Sequence, residues 1–225
     1  MLGNILITGG ASGLGLAVAE AVAKAGGRPL VVDVRATDGF DQAIADLAVR
    51  EQAEQAVREL AERAGGLDGV VTAAGIDACG RLEEVPADDW ERVIKVNLVG
   101  TASVVRAALL YLKRSSGRVV TCASTLGLRA VGDATAYCAA KFGVVGFTRA
   151  LAAELAGQVG VTMLVPGGMS THFFDDRPEQ YRPGPGAKLN RPEDVAQTVV
   201  FALSQPSGCE VRELVVCPST ETSWP

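Results

Sequence analysis

Histidine is almost missing from this chain: His172 is the only one in 225 residues. A multi-histidine metal site is therefore excluded, and a Ser–His–Asp hydrolase would depend on a single loop residue. Aromatic residues are scarce as well, at 5%, which leaves little surface for stacking nucleic-acid bases. The five cysteines (Cys79, Cys122, Cys138, Cys209, Cys217) are scattered, odd in number and never spaced C-x-x-C. They read as buried thiols of a reducing cytoplasm rather than a disulfide framework, and no metal site is expected. No apolar run approaches ~18 uninterrupted residues, so no bilayer-spanning helix is expected. The opening MLGNILITGG has no basic n-region, which argues against a secretory signal. A net charge of −5 gives no electrostatic case for nucleic acid or an anionic membrane.

What the chain does hold is small aliphatic side chains, within a hydrophobic share of 48%. Apolar runs at 2–8, 28–34, 67–73, 118–123 and 160–165 read as buried strands, with a weaker one at 43–47 and a closing one at 213–217. Helical patterns lie between them: one to about residue 25, one over 50–63, two within 86–113 with the second running from about Asn97, one over 133–156, and one from 191 to about 203. Strands apolar throughout and alternating with helices mean a parallel sheet covered on both faces. No linker or composition shift divides the chain. A single doubly wound α/β domain of the Rossmann type over residues 1–225 is expected, with an irregular Pro- and Gly-containing segment at 169–190.

Thr8 to Gly15 reads TGGASGLG between the first strand and the first helix. Gly9 permits the tight turn, Gly13 lets backbone approach a ligand, and Gly15 lets the helix close on the sheet. The helix N-terminus then offers N–H groups and a positive dipole end to a pyrophosphate. Asp33 ends the second strand, 18 residues after Gly15. A carboxylate there accepts both hydroxyls of an adenosine ribose and repels a 2′-phosphate, which selects NAD over NADP. Arg35, two residues on, offsets part of that repulsion. Further along, the fifth strand delivers Ser124 to its end. Tyr137 and Lys141 follow at i and i+4 on one helix face. A phenol beside an ammonium, with a hydroxyl from a neighbouring strand, makes an acid–base device, because the cation favours the phenolate.

Taken in order, TGGASGLG, Asp33, Asp46-Leu47, Ala73-Ala74-Gly75, Asn97, Ser124, Tyr137, Lys141, Pro166-Gly167 and Thr171 resemble a short-chain dehydrogenase/reductase of the compact single-domain type. The resemblance covers essentially the whole chain. It implies an acid/base role for Tyr137, a substrate-oxygen contact for Ser124, and a ribose contact with pKa lowering for Lys141. It also implies a water-mediated proton relay through Asn97. Cofactor contacts are implied for Gly9, Ser12, Gly13, Leu14 and Gly15, for Asp33, and for Asp46 and Leu47 at the adenine. Ala73, Ala74 and Gly75 are implied at the ribose, and Pro166, Gly167, Gly168 and Thr171 at the carboxamide and phosphates. Thr72 departs from the family by replacing an amide side chain that ties the sheet centre together, so a local packing change is expected there.

The function so implied is NAD-dependent interconversion of a secondary alcohol and a ketone, with a small-molecule substrate and a cytoplasmic location. The alternatives are an NADPH-dependent β-ketoacyl-type reductase, in which Arg129 serves an acidic substrate, and a non-catalytic nucleotide-sensing regulator. Residues 77–79, 125–128, Cys138 and 169–190 are expected to form the pocket, with His172, Phe173, Phe174 and Tyr181 in a lid. His172 reads as an exposed loop residue or as a substrate contact. Relatives of this family pair through two long helices, here about 97–113 and 133–156, which implies a homodimer or homotetramer.

Overall fold

Val, Ile and Leu crowd the central strands because a parallel sheet flanked by helices buries both its faces. In the computed structural model, which describes residues 2–223, seven parallel strands form one sheet in the order β3-β2-β1-β4-β5-β6-β7. They are β1 (Asn4–Thr8), β2 (Arg28–Asp33), β3 (Asp41–Ile44), β4 (Gly69–Thr72), β5 (Arg118–Cys122), β6 (Gly160–Pro166) and β7 (Glu213–Val216). The helices are α1 (Gly13–Lys24), α2 (Arg50–Ala64), α3 (Ala87–Ile94), α4 (Thr101–Ser115), α5 (Thr135–Glu154) and α6 (Pro192–Leu203). Successive strand residues point to opposite faces. Leu6, Val70 and Val119 pack with α2 and α4, whereas Ile7, Val71 and Val120 pack with α1 and α6. This is the expected doubly wound α/β architecture. Strand order reverses between β1 and β4, so the loops leaving those strands open a crevice at the sheet's C-terminal edge.

Three sequence expectations are corrected. The weak strand placed at 43–47 lies at Asp41–Ile44, because Asp46 turns the chain by accepting a hydrogen bond from the Ala48 N–H at 2.9 Å. The two helices expected within 86–113 are one continuous helical run, α3 and α4 being joined by a π-helical turn over Lys95–Gly100. Asn97 resembles a helix start in sequence, but its side chain turns away to the Ile76 backbone, and the extra residue is absorbed as a π-bulge. That run, Ala87–Ser115, is long and apolar enough to cross a membrane by length and composition alone, yet half of its most apolar window is buried within the fold. Finally, of the five free cysteines only Cys122 and Cys138 are buried; Cys209 is exposed.

Glycine at position 100 is required by packing, since a Cβ there would stand 2.8 Å from Leu47 Cβ and 2.9 Å from the Leu47 carbonyl. Across the sheet, Thr8, Thr72 and Thr121 share one register row on β1, β4 and β5. Thr8 accepts a hydrogen bond from the Ala74 N–H at 3.1 Å, and the Thr121 and Thr148 hydroxyls pair at 2.7 Å. The Thr72 hydroxyl is buried and has no hydrogen-bond partner among the described residues. The loss of a sheet-centre tie expected at Thr72 thus takes the form of an orphaned polar atom, at a cost of about 1–3 kcal/mol.

Candidate active site

The glycine turn is built by steric exclusion. Gly9 has φ +72°, and a Cβ there would lie 2.8 Å from Ala74 Cα; a Cβ on Gly15 would lie 2.1 Å from the Gly9 carbonyl. These contacts lock the turn between residues 73–75 and the first turn of α1. The N-terminus of α1 is left uncompensated: Ser12 makes no side-chain cap and the first turn holds no acidic residue. By contrast, α2, α3 and α6 each carry a carboxylate in the first turn. Free N–H groups at a positive helix end with no capping side chain fit a pyrophosphate. Thr171 stands over this point, since a Cβ on Gly13 would meet its Cβ and Cγ2 at 3.4 Å. The 169–190 segment therefore approaches the cradle.

Asp33 sits at the tip of β2 beside this turn. Its Oδ2 accepts from the Ala11 N–H and its Oδ1 from the Arg35 N–H, both at 3.0 Å. The Arg35 guanidinium reaches back to donate to Ser12 Oγ at 2.9 Å. Asp33, Arg35 and Ser12 thus line one spot, where a negative and a positive group stand together. Asp46 and Leu47, for which adenine contacts are implied, also have partners within the protein. Burial tends to raise the Asp46 carboxyl, but bonds from the Ala48 N–H and Arg92 outweigh it and hold the group below its ordinary pKa. Arg92 pairs with Asp46 at 3.0 Å. Leu47 is a core residue against Gly100. Both do structural work.

The remaining candidates meet where β4, β5 and α5 converge. A Cβ on Gly75 would lie 3.6 Å from Asn97 Oδ1 and 3.8 Å from Lys141 Nζ. The Asn97 amide grips Ile76, accepting from its N–H at 2.9 Å and donating to its carbonyl at 2.8 Å. Ser124 leaves β5 in extended conformation and accepts from the Leu126 N–H at 3.1 Å. The loop it opens packs so closely on α5 that a Cβ on Gly127 would lie 2.7 Å from the Lys141 carbonyl. Ser124 lies close enough to the Tyr137 phenol to act on its proton. Lys141 donates to the Cys122 carbonyl at 2.8 Å, and its Nζ is 5.5 Å from the centre of the Tyr137 ring. All three side chains are nearly enclosed, with residue exposures of 8% for Ser124, 9% for Tyr137 and 4% for Lys141.

Enclosure acts against one electrostatic expectation in the protein without cofactor. Burial pushes the Tyr137 phenol above its ordinary pKa, with Cys122 and Asp77 adding to the rise and Ser124 and Arg177 opposing it. Burial likewise pushes the Lys141 ammonium below its usual value. In the protein alone, desolvation therefore outweighs the lowering of the tyrosine that the resemblance implied for Lys141.

Several contacts were not legible in the sequence. Arg177, in the 169–190 segment, pairs with Asp77 at 2.6 Å. His172 is exposed and pairs with Asp175 at 2.7 Å. Arg129 donates to the Thr222 carbonyl at 2.8 Å, which ties it to the C-terminal tail. The same tail reaches both active-site loops. Glu221 accepts from the Gly168 N–H at 3.1 Å, and Ser223 donates to Thr125 at 2.7 Å. Burial would raise the Glu221 carboxyl, but hydrogen bonds from Ser223, Gly168 and Thr222 hold it below the ordinary value. Nothing in VRELVVCPSTETSWP signals those contacts; they depend on how β7 returns the chain.

A glycine-turn crevice at the switch point of a parallel sheet, with an acid–base cluster beside it, defines a dinucleotide-dependent oxidoreductase. Residues 3–182 match the family model described as short chain dehydrogenase. The chain belongs to the short-chain dehydrogenase/reductase family, whose members use a nicotinamide cofactor, and it is an enzyme acting on CH–OH groups of small molecules. It is 35% identical to the BbsD subunit of (2S)-[(R)-hydroxy(phenyl)methyl]succinyl-CoA dehydrogenase from Thauera aromatica, over 94% of each chain. It is 31% identical to the 3-oxoacyl-[acyl-carrier-protein] reductase FabG of Thermotoga maritima, over 93% of this chain and 94% of that one. Among solved structures, the alcohol dehydrogenase of Thermococcus sibiricus complexed with 5-hydroxy-NADP superposes with a TM-score of 0.86 at 26% identity, over 96% of each chain.

Proposed function

We propose that this enzyme interconverts a secondary alcohol and a ketone with NAD as its cofactor, and that Tyr137 moves the proton. The observation that carries this reading is one buried cluster: Asn97 and Lys141 meet at Gly75, the Lys141 ammonium lies 5.5 Å from the Tyr137 ring centre, and Ser124 acts on the Tyr137 phenol. A bound nicotinamide supplies the hydride donor or acceptor. The chain holds it through the N–H groups opening α1, through Asp33 at the adenosine ribose, and through residues 73–75 and 166–171 along its length. Lys141 serves the second ribose. Ser124 steadies the substrate oxygen, and Tyr137 gives it or takes from it one proton. The buried cluster excludes water, which strengthens each of these interactions. Asn97 fixes the Ile76 backbone next to the reacting groups and holds a water that links Lys141 to solvent as a proton relay.

Residues 1–225 act as one cofactor-binding domain in this reading, with 169–190 covering the substrate. Exposed Val99 and Leu110 on the α3–α4 run and exposed Phe142 on α5 support pairing of two copies through those helices. Five free cysteines support a cytoplasmic site of action. The second reading, NADPH-dependent reduction of a β-ketoacyl group, is favoured by one observation: Arg35 stands at Ser12, where a 2′-phosphate would lie. Reduction of a ketone panel with NADH and NADPH, followed at 340 nm, tests both readings. Tyr137→Phe should lower kcat by about 10²–10⁴ while NADH affinity stays within about threefold. Retained turnover in Tyr137→Phe would overturn the proposal.

A further inference from the structure

Residues 169–190 lie across the cluster just described. The Phe173 ring packs on Tyr137 with centroids 5.6 Å apart and planes inclined by 57°. The base of the segment is pinned to the sheet: the Ser170 N–H donates to the Asn190 carbonyl at 2.9 Å, the Asn190 N–H to the Gly168 carbonyl at 3.0 Å, and the Asn190 side chain to the Val216 carbonyl at 3.1 Å. The tip is different. Among the described residues, the side-chain hydrogen bonds of 172–182 stay within the segment or its Thr171 cap except at two points. Tyr181 donates to Asp133 at 3.2 Å, and Arg177 donates to Asp77 at 2.6 Å. The Arg177 pair is the enclosed one, with side-chain exposures of 17% and 4%.

Asp77 is held for this contact from three sides. Its Oδ1 accepts from the Ala78 N–H at 2.8 Å, and its Oδ2 accepts from the Cys79 thiol at 3.1 Å as well as from Arg177. The residue before it, Ile76, is clamped by Asn97. Arg177 in turn lies over both lid rings, 5.0 Å from the centre of Phe173 and 4.6 Å from that of Phe174. Closing therefore seats Phe173 on Tyr137 and Arg177 on Asp77 together. The closed form also carries opposing costs. Two charges leave water, and the Arg177 Nε is buried without a hydrogen-bond partner among the described residues. Opening hydrates that N–H and both charges. A contact with gains and costs of this kind is suited to release and re-form, whereas the base of the segment has no such opposition.

We propose that the Asp77–Arg177 ion pair is the latch of a lid formed by residues 169–190, which must release for a substrate to reach Ser124 and Tyr137. Arg177 and Asp77 are then gating and positioning residues that take no part in proton or hydride transfer. The inference rests on the proposed roles of Ser124 and Tyr137, but its primary test does not.

Hydrogen exchange of the peptide covering 172–182, read by mass spectrometry on the full chain, follows lid opening directly. The Asp175, Arg177 and Tyr181 N–H groups are bonded within that stretch and report on it. Arg177→Met and Asp77→Asn should each speed exchange about tenfold or more, and the double variant should be no faster than the faster single. Peptides from α1 and β4 should exchange as in wild type, which separates lid opening from loss of the fold. Arg177→Lys should restore part of the protection. Unchanged lid exchange in Arg177→Met, or effects of the two substitutions that simply multiply, overturns the latch. Loss of turnover in Arg177→Met with lid exchange unchanged would also overturn it, because Arg177 would then belong to the substrate site. If Tyr137→Phe keeps its turnover while the latch variants exchange as expected, the latch stands and the reading of Tyr137 is what fails.

Discussion

Cofactor choice is the property on which the structure places two opposing groups at one spot, so it can be worked through. Asp33 spends one acceptor position of each oxygen on backbone, the Ala11 and Arg35 N–H groups at 3.0 Å. A carboxylate has about four lone-pair positions, which leaves room for two ribose hydroxyls. Hydrogen bonds to a charged group contribute roughly 1.5–3 kcal/mol each. The lower figure suits this partly exposed site, and two such bonds come to about 3 kcal/mol, or roughly 100-fold in Kd. A 2′-phosphate about 4 Å from Asp33 would meet a repulsion of up to roughly 4 kcal/mol per unit charge at a near-surface dielectric. The Arg35 guanidinium, held at Ser12 by a 2.9 Å bond, offsets part of it. NADH should therefore bind wild type at least about tenfold tighter than NADPH, a gap of about 1.4 kcal/mol. Asp33→Asn keeps an acceptor for the Ala11 N–H while removing the charge, and it should close that gap. Arg35→Ala should widen it by weakening NADPH alone. Fluorescence titration of both reduced cofactors against the three proteins measures all of this. Tighter NADPH binding in wild type, or an unchanged gap in Asp33→Asn, would refute the assignment of Asp33 and move the β-ketoacyl reading to first place.

Two further outcomes follow from the buried groups. Thr72→Val replaces the orphaned hydroxyl with a methyl of the same shape, so it should stabilise by about 1–3 kcal/mol. The melting temperature should then rise by roughly 2–4 °C per kcal/mol in a protein of this size; an unchanged or lower Tm would mean that the hydroxyl has a partner after all. Tyr137 carries a pKa raised by burial, and the sign of its effect on stability is set by linkage. Above the ordinary tyrosine pKa near 10, the unfolded chain releases this proton while the folded one keeps it. The contribution is thus full below about pH 10 and is lost as pH rises towards the folded value. Without cofactor, Tyr137→Phe should leave tyrosinate absorbance below about pH 10 unchanged, and a drop there would contradict the desolvated phenol.

The parallel sheet, its crevice and the order of the site residues were legible in the sequence because they depend on local rules. A buried parallel strand needs an unbroken apolar run, a strand-to-helix phosphate turn needs glycine where a Cβ would strike backbone, and a one-turn helical spacing puts Tyr137 and Lys141 on one face. The misplacements have local causes too. Asp46 ended β3 early by bonding its own turn, and Asn97 mimicked a helix start while its side chain served Ile76.

What only the tertiary structure decided are contacts between residues far apart in the chain, and charges whose behaviour depends on burial. Arg177 meets Asp77 across 100 positions, and Glu221 and Ser223 return to Gly168 and Thr125. No periodicity or motif encodes such pairs, because each partner is an ordinary polar residue until the fold brings the two together. The same is true of Tyr137: the sequence placed a cation four residues away, but only the fold encloses the phenol, and that burial pushes its pKa upward in the free protein.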